Sequence, residues 1–175
     1  MRRHEEAIYP DGSLRRDGLY LGRQYRLKVV RRKYPNPARL DSGWLKVCVP
    51  LGLGQQAQAG LVRQNLINWY KAHAAQRLPE RARIWAPKVG VSVPQILIRE
   101  QRLRWGSCDS KGNLRLNWRV IQASMRLVDY VVVHEMSHIL EKGHTKKFWA
   151  TVGKLIPEYE ARRNELRRLG QYLQW

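Results

Sequence analysis

The sequence predicts an α+β domain in which a small antiparallel sheet packs on one central helix and on C-terminal helices. Three observations carry that prediction. Apolar and polar residues alternate over 18–33, 95–105 and 113–120, the period of strands with one buried face, and 44–49 is a short apolar stretch ended by Pro50. Between and after these stretches the period becomes helical. The third observation is His134-Glu135-Met136-Ser137-His138, which continues the apolar run Leu127-Val128-Asp129-Tyr130-Val131-Val132-Val133.

Residues 1–17 mix charges with Pro10 and Gly12 and show no period, which predicts a flexible arm ahead of a single domain over 18–175. Gly18 to Lys33 reads as one strand, with Tyr20, Tyr25, Leu27 and Val29 separated by basic residues. Pro35, Asn36 and Pro37 break it. Trp44 to Val49 reads as a second strand, pairing with the first as a hairpin. From Gln55 to Arg77 a helical stripe runs through Leu61, Leu66, Trp69 and Tyr70, and after a proline-punctuated break Ile84, Trp85 and Val89 continue as a second helical piece.

Gln95 to Trp105 and Asn113 to Val120 read as partner strands across a loop at Gly106 to Gly112. In the second strand Leu114, Leu116 and Trp118 share one face and Arg115, Asn117 and Arg119 the other. It is a candidate substrate edge, where an extended peptide adds main-chain hydrogen bonds over Leu114, Leu116 and Asn117. A fully covered interior strand is the other reading of the same pattern.

Ser124 is the expected N-cap of a helix that runs to about Glu141. On that helix His134 and His138 stand four residues apart, so both imidazoles leave one face and converge on one metal ion. Glu135 lies beside the first ligand, where a carboxylate serves as general base toward a metal-activated water. His144, six residues past His138 and following Gly143, supplies a third nitrogen after the chain turns back. One Zn²⁺ per chain is the expected cofactor, because three protein ligands leave the fourth position open, as in catalytic zinc sites. Metzincins need Gly where Glu141 stands and a methionine turn downstream, yet no methionine follows Met136.

Thr145 caps a further helix with Phe148, Trp149, Val152, Leu155 and Ile156 on one face, which fixes His144 at its start. After Pro157 a basic amphipathic helix turns Tyr159, Leu166, Leu169 and Leu173 inward. Arg162, Arg163, Arg167 and Arg168 point outward and are the candidate phosphate contacts. Asp129 and Glu141 are candidates for orienting the histidines, and Arg104, Tyr130 and Tyr159 for the developing oxyanion. Cys108 is either a switch ligand facing the metal or a small packed residue.

Composition sets the setting. Lys and Arg number 33 against 14 Asp and Glu, a net charge of +19, which makes DNA or RNA a candidate partner. A merely solvated basic surface is the plain alternative. Two cysteines, Cys48 and Cys108, give no disulfide framework, and no apolar run is long enough to span a bilayer. The N-terminus carries no secretory h-region. A cytoplasmic protein without a membrane role is expected, with a monomer favoured.

Four stretches resemble the YgjP-like metallopeptidase domains, which are related to the SprT and Spartan zinc proteases. They are Tyr20-Leu21-Gly22-Arg23-Gln24-Tyr25-Arg26-Leu27, Arg104-Trp105-Gly106-Ser107-Cys108, Asp129 to Glu135, and His144-Thr145-Lys146-Lys147-Phe148-Trp149. The resemblance covers about 18–169. It implies a minimal zincin-like core with His134, His138 and His144 as ligands, Glu135 as base, and a peptide or protein substrate acted on near nucleic acid. Members usually carry a β-rich segment before the first stretch, so the chain looks short at its N-terminus. Some are described as nucleotide pyrophosphatases, a phosphohydrolase chemistry that gathers carboxylates around magnesium; this acid-poor sequence shows no such cluster. A third reading is a non-enzymatic basic nucleic-acid-binding module with a structural zinc.

Overall fold

Two dipeptides, Leu21-Gly22 and Ser42-Gly43, set the first part of the fold. Their φ angles are 50° and 76°, and 50° and 80°, the doubly positive pair that a tight two-residue hairpin requires. The computed structural model describes residues 17–101, 103–171 and 173, and in it each dipeptide joins two antiparallel strands. Asp17–Tyr20 (β1) pairs with Arg23–Arg32 (β2), so the single strand expected over 18–33 is two. Arg39–Asp41 (β3) pairs with Trp44–Pro50 (β4). Apart from Asp17, the arm expected over 1–17 lies outside the described residues.

β2 and β4 pair in parallel, with Leu27 opposite Leu45 and Val29 opposite Val47, which corrects the expected hairpin between them. The chain beyond Pro35 and Pro37 crosses to β3 first, and β4 then returns beside β2 in the order β1-β2-β4-β3. Leu27, Val29, Leu45, Val47 and Val49 form the buried face.

Gln55–Val89 (α1) is one continuous helix with Pro79 and Pro87 inside it, not two pieces. Val62, Leu66, Tyr70, Ala74, Leu78, Ala82 and Ala86, each four residues from the last, are all buried. Burying one Leu or Val stabilises by about 1.5–3 kcal/mol, so a stripe of this length outweighs an interior proline at about 3 kcal/mol. The chain divides into two compact units whose border falls within α1, between Ala72 and His73.

The second unit holds a three-stranded sheet of Ile96–Arg99 (β5), Gly106–Cys108 (β6) and Leu114–Asn117 (β7). Its order is β5-β7-β6, parallel between β5 and β7 and antiparallel between β7 and β6. β7 is thus the central strand, and the substrate-edge role expected for Leu114, Leu116 and Asn117 is corrected. Their backbone is bonded on both sides, and they are 0, 0 and 3 % exposed. Alternation marks a buried face; it does not count a strand's neighbours. The loop expected at 106–112 instead begins as β6, an edge strand, and the expected strand over 95–105 stops at Arg99. The strand expected to reach Val120 gives way to a 3₁₀ turn over Trp118–Gln122.

Met125–Leu140 (α2), Lys146–Leu155 (α3) and Tyr159–Gly170 (α4) complete this unit, with α2 packed on β6, α3 and α4. Ser124 stands at the N-cap of α2, although its buried hydroxyl makes no cap bond. Thr145 does cap α3, its Oγ1 accepting from the Phe148 amide at 3.2 Å.

Candidate metal centre

α2 is buried without interruption from Leu127 to Val133, so the polar side chains that follow emerge from an apolar helix at one end. His134 and His138 leave it one turn apart, with ring centroids at 5.1 Å. The helix stops at Leu140 because Glu141 adopts an extended backbone, φ −143° and ψ 110°. The turn is therefore made at Glu141, where Gly143 was expected to make it, and His144 is carried back to the other two rings. One nitrogen from each of His134, His138 and His144 lies within 4.8 Å of the others.

The donor set suits a cation. Nε2 of His134 and Nε2 of His144 stand 3.0 Å apart, close to the roughly 3.4 Å between two nitrogens that share one tetrahedral zinc. Two imidazole lone pairs at that distance repel unless a proton or a cation lies between them. Nδ1 of His138 meets the Glu141 carbonyl at 3.1 Å; a carbonyl only accepts, so Nδ1 carries a hydrogen and Nε2 is the nitrogen left to face a metal. Burial pushes His134 down to about 3, helped by the charges of His138, His144 and Arg163, and His144 is lowered for similar reasons. Both rings are held neutral, the form that binds metal.

Aromatic rings brace the trio. Phe148 stacks on His138 with centroids at 4.4 Å and planes at 26°, and Trp149 stacks on His144 at 5.4 Å and 23°. Tyr159 stacks on the Trp149 ring at 5.0 Å and 17°, and the Arg163 guanidinium lies 5.2 Å from its centroid. Helix α3 thus positions the exposed His144 from directly behind it.

Glu135 is 7 % exposed and faces β6. A Cβ built on Gly106 would lie 2.7 Å from its Cγ and 2.8 Å from its Oε1. Only glycine lets the strand approach this closely, which gives a physical reason for the glycine in Arg104-Trp105-Gly106-Ser107-Cys108. Burial raises the Glu135 carboxyl to about 7, against the opposing pull of Arg104.

Beside these groups opens a cleft of about 980 Å³, lined by β6, the residues before it, α2 and one face of α4. Arg104 and Tyr130 line it; burial lifts the Tyr130 phenol to about 12. Cys108 also lines it, its thiol raised mainly by burial and then by Glu135 and Asp109, and its Sγ is 3.5 Å from the Asp109 carbonyl. It is not among the three residues whose nitrogens converge.

Two expected supports are displaced. Asp129 does not orient a histidine: it takes a two-pronged ion pair from Arg81, at 2.6 and 2.9 Å. Glu141 acts through its backbone carbonyl, not its carboxylate. The four arginines do not form one outward cluster either. Arg162 pairs with Glu158 and donates to the Arg126 carbonyl, Arg163 and the exposed Arg167 line the cleft, and Arg168 is exposed away from that lining. Asn117 has a role the sequence reading missed. Its Nδ2 donates to the carbonyls of Gln101 and Arg104, at 2.7 and 3.1 Å, and so holds the segment that carries Arg104.

Three converging imidazoles with a buried carboxylate next in sequence, on an α+β frame, give the chain a candidate metal centre. The chain belongs to the YgjP-like metallopeptidase domain family, whose sequence pattern matches residues 2–169. The fold is similar to the crystal structure of the metallopeptidase zymogen abylysin of Pyrococcus abyssi, with TM-score 0.51 and 19% identity over 54% of this chain and 95% of that one. Jannalysin of Methanocaldococcus jannaschii, also a metallopeptidase zymogen, matches with TM-score 0.46 and 21% identity over 54% and 96%. None of the curated proteins matches the sequence significantly.

Proposed function

We propose that the chain is a zinc-dependent metallopeptidase in which His134, His138 and His144 hold one metal ion and Glu135 is the general base. The observation that carries this reading is the convergence of three imidazoles beside a buried carboxylate. An all-imidazole donor set suits zinc, whereas magnesium takes oxygen ligands, and no carboxylate cluster accompanies the trio among the described residues. That weighs against a magnesium-dependent nucleotide pyrophosphatase.

Zinc, when bound, supplies the Lewis acidity that makes water deprotonable near neutral pH and polarises a scissile carbonyl. The chain's own residues do the rest. Glu135 accepts the proton of the attacking water on a carboxylate oxygen and passes it to the leaving amide nitrogen. Its burial favours the protonated form, which suits the second transfer. The outer edge of β6 pairs with no other strand among the described residues, so Gly106 to Cys108 can take the substrate backbone as an added strand. This edge replaces the one expected at Leu114, Leu116 and Asn117. Arg104 and Tyr130, both on the cleft, are the donors available to the developing oxyanion. Tyr159 has a different task, stacking on Trp149.

Replacing Glu135 with Gln tests the reading. Zinc content stays at one per chain and hydrolysis of a quenched fluorescent peptide falls about 10³-fold. Unchanged hydrolysis would contradict it, and no hydrolysis by the zinc-loaded wild type would favour the structural-zinc module. The net charge of +19 favours one addition, that exposed arginines such as Arg168 hold the enzyme near DNA or RNA. In a gel-shift series such binding weakens steeply with salt.

A further inference from the structure

Four cations line the cleft: Arg104, Lys142, Arg163 and Arg167. Only two carboxylates share that lining, and both are committed. Asp109 accepts from the Lys111 and Asn113 amides at 3.0 Å each and pairs with Arg115 at 3.3 Å, closing the turn between β6 and β7. Glu135 serves the proton transfer. Three acids of neighbouring elements are engaged elsewhere: Glu158 with Arg162, Glu165 with Arg126, Glu100 with Arg119. Among the described residues Arg163 and Arg167 have no acidic partner, although Arg162 on the same helix has one.

Their positions are specific. Four residues apart on α4, they project from one face about one turn apart, with Leu166 also on the cleft wall. The Trp149 ring limits the swing of Arg163, whose Nε is buried without a partner. Arg163 lies against the Trp149 ring that stacks on His144, so it stands beside the histidines rather than at a distant rim. A guanidinium fork binds carboxylate in a two-pronged way, and two such forks on one cleft wall without counter-ions, Arg163 restrained by Trp149 and Arg167 exposed, suit an anionic group. A peptide laid along β6 sends alternate side chains to opposite faces of the sheet, and β6 itself lines the cleft.

We infer that Arg163 and Arg167 form a carboxylate-recognising subsite, so that the enzyme selects peptides bearing a carboxylate close to the scissile bond. The inference rests on the peptidase reading for its substrate. The carboxylate comes either from an Asp or Glu side chain or from a free C-terminus. The first makes an acid-directed endopeptidase; the second limits cleavage to near the chain end.

Paired fluorescein-labelled peptides test it on the zinc-loaded full chain, with Asp or Asn at each position in turn and with the C-terminus free or amidated. Both cleavage and binding are read, binding by anisotropy with the Glu135→Gln protein. A carboxylate at the favoured position tightens binding and raises kcat/KM about tenfold or more. The gain disappears in Arg167→Gln and turns into a preference for Lys in Arg167→Glu, while zinc content stays constant. A gain that follows the Asp substitution identifies the side chain as source, and one abolished by amidation identifies the C-terminus. Equal binding of acidic and neutral peptides, or a gain that persists in both Arg167 variants and in Arg163→Gln, overturns the inference and leaves the peptidase reading intact. Pyrophosphate displacing the peptides through the same arginines, and binding more tightly than they do, overturns the peptide assignment. If no peptide is cut, the peptidase reading fails, and the binding ratios still decide whether the arginines read a carboxylate.

Discussion

The four-stranded and three-stranded sheets both depend on glycine, for different reasons. Gly22 and Gly43 lie in hairpin turns at φ 76° and 80°, and the space around a Cβ at Gly43 is empty. What those turns need is a backbone conformation. Gly106 lies within a strand, where the backbone is ordinary but the space is not: Glu135 already occupies it. The larger sheet buries Leu27, Val29, Leu45, Val47 and Val49 on one face, together with Tyr20. The smaller sheet has strands of three or four residues, one of them pressed against the buried carboxylate of the site. One sheet is built for stability, the other for the room and surroundings of a proton-carrying group.

Substitution at the two kinds of glycine breaks the comparison most sharply. Gly106→Ala displaces the base and lowers kcat/KM about 10³-fold with zinc retained. Gly43→Ala costs about 1 kcal/mol in urea denaturation and leaves activity unchanged. Similar activities in the two variants would mean that the approach of β6 to Glu135 has no catalytic consequence.

Titration gives the next largest effect. The folded carboxyl of Glu135 sits near 7 against an ordinary 4.5, so the folded protein holds this proton more tightly than the unfolded chain. The stability that proton contributes is complete below about pH 4.5 and lost as pH rises through about 7. Glu135→Gln has no such dependence. In chelator-treated protein its stability relative to wild type therefore climbs between pH 4.5 and 7 and levels off at about 3 kcal/mol. The opposing contribution of His134 is common to both proteins and cancels. A flat difference across that window would show that Glu135 is not desolvated.

Trp149→Ala is the smallest change. Removing the ring behind His144 weakens zinc binding about tenfold, measured by competition with a chromophoric chelator, without altering the fold.

The site was more legible in the sequence than the sheet that supports it. His134, His138 and Glu135 could be read because helical spacing fixes which side chains share a face, and Thr145 because a cap residue announces a helix start. The central position of β7 could not, since alternating residues look alike in edge and interior strands. Gly106-Ser107-Cys108 has no alternation, so β6 passed for a loop. Pro79 and Pro87 suggested a break that the buried stripe from Val62 to Ala86 overrides. Arg163 and Arg167 were read as outward because basic residues on an amphipathic helix usually are; that α4 brings both to the cleft, and Arg163 against Trp149, depends on tertiary packing.

Zinc stoichiometry in wild type and His144→Ala, by elemental analysis of the purified proteins, tests the central claim most directly. One zinc per wild-type chain, sharply reduced in the variant, is the predicted result. No stoichiometric zinc, or zinc that does not depend on His144, would contradict the three-histidine centre and the hydrolytic mechanism built on it.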